Sequence, residues 1–151
     1  MKALVVYDSF YGNTEKIAKA IGAALAPPGE VKVLRPGEVN PSGLEAVDLL
    51  VVGSPTQGGR PTKAIQDFLN KLPESAVKDV NVAAFDTRFS TKLVTIFGYA
   101  AGKIAGSLKK KGGILILSPE PFFAKSKEGP LKEGELERAA VWAKRILESK
   151  K

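Results

Sequence analysis

The chain has 151 residues, 44% hydrophobic and 26% charged, which is the make-up of one soluble globular domain able to bury a core. It contains no histidine and no cysteine, so disulfides, thiolate nucleophiles, cysteine-ligated zinc or iron–sulfur clusters and a Ser-His-Asp triad are excluded. The net charge of +7 sits entirely in one half: residues 1–75 hold eight basic and eight acidic side chains, residues 76–151 fifteen and eight.

That asymmetry fits either a lysine-rich solvated surface or a field that steers an acidic partner. Lys109-Lys110-Lys111 needs neither explanation, because it ends a helical pattern where cations complement the helix dipole. No apolar run approaches the roughly 20 residues that span a bilayer. A strand pattern starts beside Met1 and leaves no room for a signal peptide, so a cytoplasmic protein without a membrane partner is expected. Nucleic acid is not an expected partner either, since no basic stripe is interleaved with aromatics.

In chain order, the apolar runs KALVVY (2–7), VKVL (31–34), DLLVVG (48–53), VNVAAF (80–85) and GILILS (113–118) predict five strands. LLVV and ILIL are apolar on both strand faces, as in a parallel sheet covered on both sides by helices. Between the strands lie helical patterns. Ile17, Ile21 and Leu25 recur every four residues before PPG at 27–29. A second helix is predicted from Pro61 to Leu72 with Ile65, Phe68, Leu69 and Leu72 on one stripe. A third runs from Thr91 to Lys110 with Leu93, Ile96, Phe97, Ala100, Ile104 and Leu108 inward, stopped by Gly112-Gly113. The last runs from Gly134 to Glu148 with Leu136, Ala140, Ala143 and Leu147 inward. One helical turn is expected within 43–47, and residues 118–134 read as the longest irregular stretch. The order predicts a single α/β domain, a three-layer doubly wound sheet of order 2-1-3-4-5. Ligands of such sheets bind beyond the carboxyl ends of the strands, which directs attention to Asp8–Thr14, Ser54–Arg60 and Asp86–Phe89.

In the first of these, SFYGNT places the Ser9 and Thr14 hydroxyls and the Gly12, Asn13 and Thr14 amides where a helix begins. Unpaired N–H groups and the dipole there make a socket for a phosphate held mainly by neutral donors. The plainer reading is that Asn13 or Thr14 merely caps the helix. Neither a G-x-x-x-x-G-K-[ST] nor a G-x-G-x-x-G motif follows the first strand.

SFYGNT directly after strand one resembles the phosphate loop of the flavodoxin family, usually [TS]-x-[TS]-G-N-T. GSPTQGG (53–59) resembles the family's second flavin loop, and FDTRF (85–89) stands where its third belongs. The resemblance covers nearly the whole chain and implies flavin mononucleotide (FMN), with its phosphate on Ser9–Thr14 and its ring between the other two loops. It implies contacts from Ser9, Phe10, Tyr11, Gly12, Asn13, Thr14, Pro55, Thr56, Gln57, Gly58, Gly59, Asp86, Thr87, Arg88 and Phe89. The chain departs from the family where many members have an aromatic after Thr56; here Gln57, Gly58 and Gly59 follow. Either Phe10 or Tyr11 joins Phe89 in stacking on the ring, or the ring is more open on the glycine side. Gly58-Gly59 can turn a peptide toward the flavin N5 edge, or simply form the turn before Pro61. Asp86 is expected to accept from the ring N3–H, orient the loop or cap a turn, and Phe89 is alternatively a core aromatic. Arg88 near N1 would make the carrier less reducing than usual.

The resemblance implies a flavodoxin-type electron carrier, a monomer or weak dimer, between a reductase and an acceptor enzyme with acidic docking surfaces. An FMN-dependent NAD(P)H:quinone-type oxidoreductase and a flavin-free flavodoxin-like module are the alternatives. A phosphoacceptor receiver is excluded, because Ser54 and Pro119 stand where that chemistry needs Asp and Lys.

Overall fold

The computed structural model describes residues 1–27, 29–40, 44, 46–89 and 99–150. Its elements are β1 (Lys2–Tyr7), α1 (Asn13–Leu25), β2 (Glu30–Leu34), β3 (Leu49–Pro55), α2 (Lys63–Lys71), the single turn α3 (Glu74–Val77), β4 (Asn81–Phe89), α4 (Ala100–Lys110), β5 (Ile114–Leu115), β6 (Glu120–Ala124) and α5 (Glu135–Ser149). The sheet is parallel with the expected order β2-β1-β3-β4-β5, and β6 also pairs with β4.

Apolar side chains leave the central strands on both faces. Val5, Val51, Ala83 and Phe85 bury against α1 and α5, whereas Leu4, Leu50, Val82 and Ala84 bury against α2, α3 and α4. The strict alternation is the period-2 geometry of a strand, and it explains why the runs are uniformly apolar. Ile17, Ile21 and Leu25 are fully buried beneath α1, as their spacing predicts, and so are Ala100, Ile104 and Leu108 beneath α4. Leu93, Ile96 and Phe97, expected to begin the α4 stripe, lie outside the described residues, as does part of the turn expected within 43–47.

Three expectations need correction. The run 113–118 is not one strand. Leu115 pairs with Val82 and Glu120 with Phe85, so five steps on one side match three on β4. Two residues must leave the ladder, and they do so beside Pro119, which has no N–H to contribute. The irregular stretch 118–134 therefore contains a strand, β6. Second, β4 runs on to Phe89, so the third loop is largely the end of a strand. Third, α5 is rotated from its predicted orientation. Ala139, Trp142, Ala143 and Ile146 are buried, whereas Leu136 is 43% exposed. Trp142 decides the rotation, because it packs edge-on against Phe85 and Phe122 with ring centroids 6.0–6.1 Å apart. The largest apolar side chain outweighs the aliphatic stripe that misled the sequence reading.

The same ring explains a glycine in β3. A Cβ on Gly53 would stand 2.0 Å from the Phe85 ring, so β3 and β4 keep their packing only without a side chain there. Gly53→Ala is expected to cost about 1–3 kcal/mol through overpacking, read as a lower urea midpoint. An unchanged midpoint would show that Phe85 can move aside.

Candidate functional site

The carboxyl ends of β1, β3 and β4 open into a cavity of about 510 Å³, within the usual ~300–1,000 Å³ of small-molecule sites. The register explains why three distant segments meet there. Tyr7 is paired with Gly53 and Gly53 with Phe85, so the following segments start at one level of the sheet.

The first segment is folded by its own side chains. Gly12, at φ 90°, precedes α1 and no side chain caps the helix, which removes the plain capping role considered for Asn13 and Thr14. The Gly12 N–H donates to Ser9 Oγ (3.1 Å) and the Ser9 N–H to Asp8 Oδ1 (2.9 Å). The Asn13, Thr14 and Glu15 amides are the first of α1, where no intrahelical carbonyl is available to them. Beneath this loop Arg35 donates from Nη1 to Asp8 Oδ1 and to the Ser9 carbonyl, both at 3.2 Å. Arg35 escaped the sequence reading. The signal was its position: it directly follows β2, whose Leu34 pairs with Val6 in β1, so it must arrive beside Asp8.

The second segment is a tight hairpin. Gln57 and Arg60 exchange backbone hydrogen bonds of 2.8 and 2.9 Å across Gly58 (φ 54°) and Gly59 (φ 78°), the type I′ pattern that only such residues adopt cheaply. A Cβ on Gly58 would meet no described residue within 4 Å, whereas its neighbour Gly59 is buried. Ser54 is fully buried and accepts from the Thr62 N–H, serving the start of α2 and not the cavity.

The third segment alternates its side chains, as a strand must. Thr87 faces α1 and shares a 2.7 Å hydrogen bond with the Thr14 hydroxyl, tying the third segment to the first. Asp86 faces the other way and is fully buried. It accepts from Arg88 Nε (2.8 Å) and Nη2 (2.6 Å) and from the Ala101 N–H (2.9 Å). Arg88 also lies over the Tyr99 ring at 3.3 Å. Asp86 thus holds the start of α4, and the cation expected to act alone arrives already paired. Asp86, Gly12 and Gly59 do not line the cavity, whereas the other expected residues from Ser9 to Phe89 do. Phe10 and Tyr11 are 57% and 49% exposed and Phe89 is half-buried.

A fourth segment was missed. Ala124, Ser126 and Lys127 also line the cavity. They belong to a hairpin in which β6 turns at Ser126–Gly129 and returns, with Ala124 bridged to Leu131. No motif marks it; only the pairing of β6 with the end of β4 brings it to the site. Its base is clamped by Arg138, which pairs with Glu120 (2.6 Å) and Glu135 (2.8 Å), while Glu135 accepts from the Phe123 N–H (2.7 Å).

Among the described residues no carboxylate lines the cavity. Among the described residues no group of His, Cys, Asp or Glu is placed to hold a metal, and no helix is long and apolar enough to cross a membrane. A sheet of this order with a helix N-terminus, a glycine hairpin and a strand end around one open cavity defines a nucleotide-binding doubly wound domain. The flavodoxin family model matches residues 5–142. The chain is 26% identical to a flavodoxin of Clostridium saccharobutylicum over 97% of its own length and 95% of that protein. It is 32% identical to a diflavin flavoprotein of Synechocystis sp. over 65% of its length, spanning only 15% of that larger protein. A solved flavodoxin from the domain Archaea superposes with a TM-score of 0.83 at 25% identity, covering 98% and 97% of the two chains. The chain belongs to the flavodoxin family, whose members bind FMN and carry electrons on it.

Glu135 makes the clamp testable. Burial raises its pKa, but the Arg138 guanidinium and the Phe123 N–H outweigh burial and hold it below the ordinary 4.5. A depressed folded-state value stabilises the fold above the unfolded value and loses that contribution as pH falls through the folded one. Glu135→Gln is expected to cost roughly 1–3 kcal/mol at neutral pH and to flatten the acid limb of urea midpoint against pH. An acid limb as steep as in the unsubstituted protein would assign acid sensitivity to other carboxylates.

Proposed function

We propose that this chain is an FMN-loaded electron carrier that takes electrons from a reductase and delivers them to an acceptor enzyme. The observation that carries the reading is the convergence of the three family loops on one cavity lined by helix-start amides, hydroxyls and aromatic side chains. The cavity fits the cofactor in kind. Helix-start amides with the Ser9 hydroxyl suit a phosphate; neutral donors such as Thr56, Gln57 and Thr87 suit a ribityl chain and ring edge; Phe10, Tyr11 and Phe89 offer apolar faces to a ring.

When bound, FMN supplies the redox chemistry, accepting and releasing electrons singly or in pairs. The protein's part is to hold the phosphate through Ser9 and α1 and to position the ring between the Gly58 hairpin and the end of β4. The exposed Arg60, which closes the Gly58 hairpin, suits a partner with an acidic docking face. A nicotinamide would approach at the exposed Gly58, where no described residue lies within 4 Å of a Cβ position, and this is the feature that favours the oxidoreductase reading.

Two measurements test this. Incubation with FMN is expected to yield a yellow protein at one equivalent, and Ser9→Ala with Thr14→Ala to weaken binding about a hundredfold by removing two hydrogen bonds to a charged group. A protein that stays colourless would favour the flavin-free module. The loaded protein is expected to keep its colour with NADH or NADPH until a reductase is added. Prompt bleaching by either nucleotide alone would replace the carrier reading with the enzyme one.

A further inference from the structure

The phosphate socket has an electrostatic shortfall. A phosphate monoester bound at α1 brings close to two negative charges, and Ser9, Asn13 and Thr14 meet them with neutral donors only. Arg35 lies below the loop, but its charge faces Asp8 at 3.2 Å and Glu15 at 3.5 Å. Arg88 lines the cavity, yet it is held by Asp86 at 2.6 Å. Among the described residues the other cation lining the cavity is Lys127. No hydrogen bond or ion pair joins its side chain to another described residue.

The hairpin carries Lys127 to the phosphate end. Its turn is closed by the Gly129 N–H donating to the Ser126 carbonyl (3.0 Å) and by Ser126 Oγ donating to the Gly129 carbonyl (2.7 Å). A Cβ on Gly129 would fall 2.7 Å from Asn13 Oδ1, so the turn rests on the first residue of α1, whose amides face the phosphate. Lys127 is the second residue of this turn. The Arg138–Glu135–Glu120 clamp fixes the hairpin's base, so the tip is presented on an anchored element.

We propose that Lys127 is the counter-ion of the cofactor's phosphate and that the β6 hairpin acts as a fourth cofactor-binding segment. The inference rests on the FMN reading and adds an ammonium to a socket otherwise built of neutral donors and a helix dipole. It predicts that the chain discriminates strongly between a flavin with a phosphate and one without, and that this discrimination depends on salt.

The test is a comparison of FMN and riboflavin binding by fluorescence quenching for the unsubstituted chain, Lys127→Ala, Lys127→Arg and Lys125→Ala. Lys125 is exposed, two residues away and off the cavity, so its loss controls for net charge. Lys127→Ala is expected to weaken FMN about tenfold and leave riboflavin unchanged. Lys127→Arg should restore most of the loss and Lys125→Ala should have little effect. High salt should narrow the gap between the unsubstituted chain and Lys127→Ala. Unchanged FMN affinity in Lys127→Ala, or equal losses for FMN and riboflavin, would overturn the role of Lys127 and leave FMN binding standing. A chain that takes up neither flavin would overturn both.

Discussion

Backbone hydrogen bonds along β1, β3 and β4 hold Tyr7, Gly53 and Phe85 side by side, and the position of every site residue follows from that level. A sheet buried on both faces must pair its polar backbone groups within itself. The segments after Tyr7, Gly53 and Phe85 leave that level at one edge of the sheet, β3 running on to Pro55 and β4 to Phe89. Gly53 is part of the same constraint: the ring that fills the α1–α5 side of the sheet lies where a side chain on β3 would be. Phe85 then meets Phe122 and Trp142, which seats both β6 and α5. The packing that stabilises the core thereby also sets where the β6 hairpin ends.

Charge near the cavity is handled in pairs. Asp8 and Asp86, buried carboxylates of the first and third segments, are each matched to an arginine, Arg35 and Arg88. A buried carboxylate without such a partner would be costly to ionise. Each pair also does a positional job, Arg35 on the Ser9 carbonyl and Asp86 on the Ala101 N–H. What the described residues leave for a ligand is a helix start, hydroxyl and amide donors, and the ammonium of Lys127. An expectation based on Arg88 as a free cation near the ring loses its footing, because the bidentate pair presents little net charge.

The stability of the site is spread over elements distant in sequence. Thr14 and Thr87 share one hydrogen bond, Thr56 Oγ1 accepts from the Ala100 N–H, and the Thr56 N–H donates to the Thr87 carbonyl. These bonds join α1, the β3 exit, β4 and α4, so the cavity's walls are rigid where the elements meet.

Local pattern was enough to determine the first four strands, the sheet order, the α1 face, the described part of the α4 face and the place of the three family loops, since periodicity and helix-start chemistry act within a few residues. The glycine turn at 58–59 was legible for the same reason. Only the tertiary structure decided the rotation of α5, the break between β5 and β6, the pairing of Arg35 with Asp8, and the arrival of Lys127. Each of these is settled by a contact between residues far apart in the chain: Trp142 with Phe85, Glu120 against Phe85, Arg35 with Asp8, Gly129 on Asn13. Such contacts depend on which surfaces meet once the sheet has formed, and a single chain read in order carries no local trace of them.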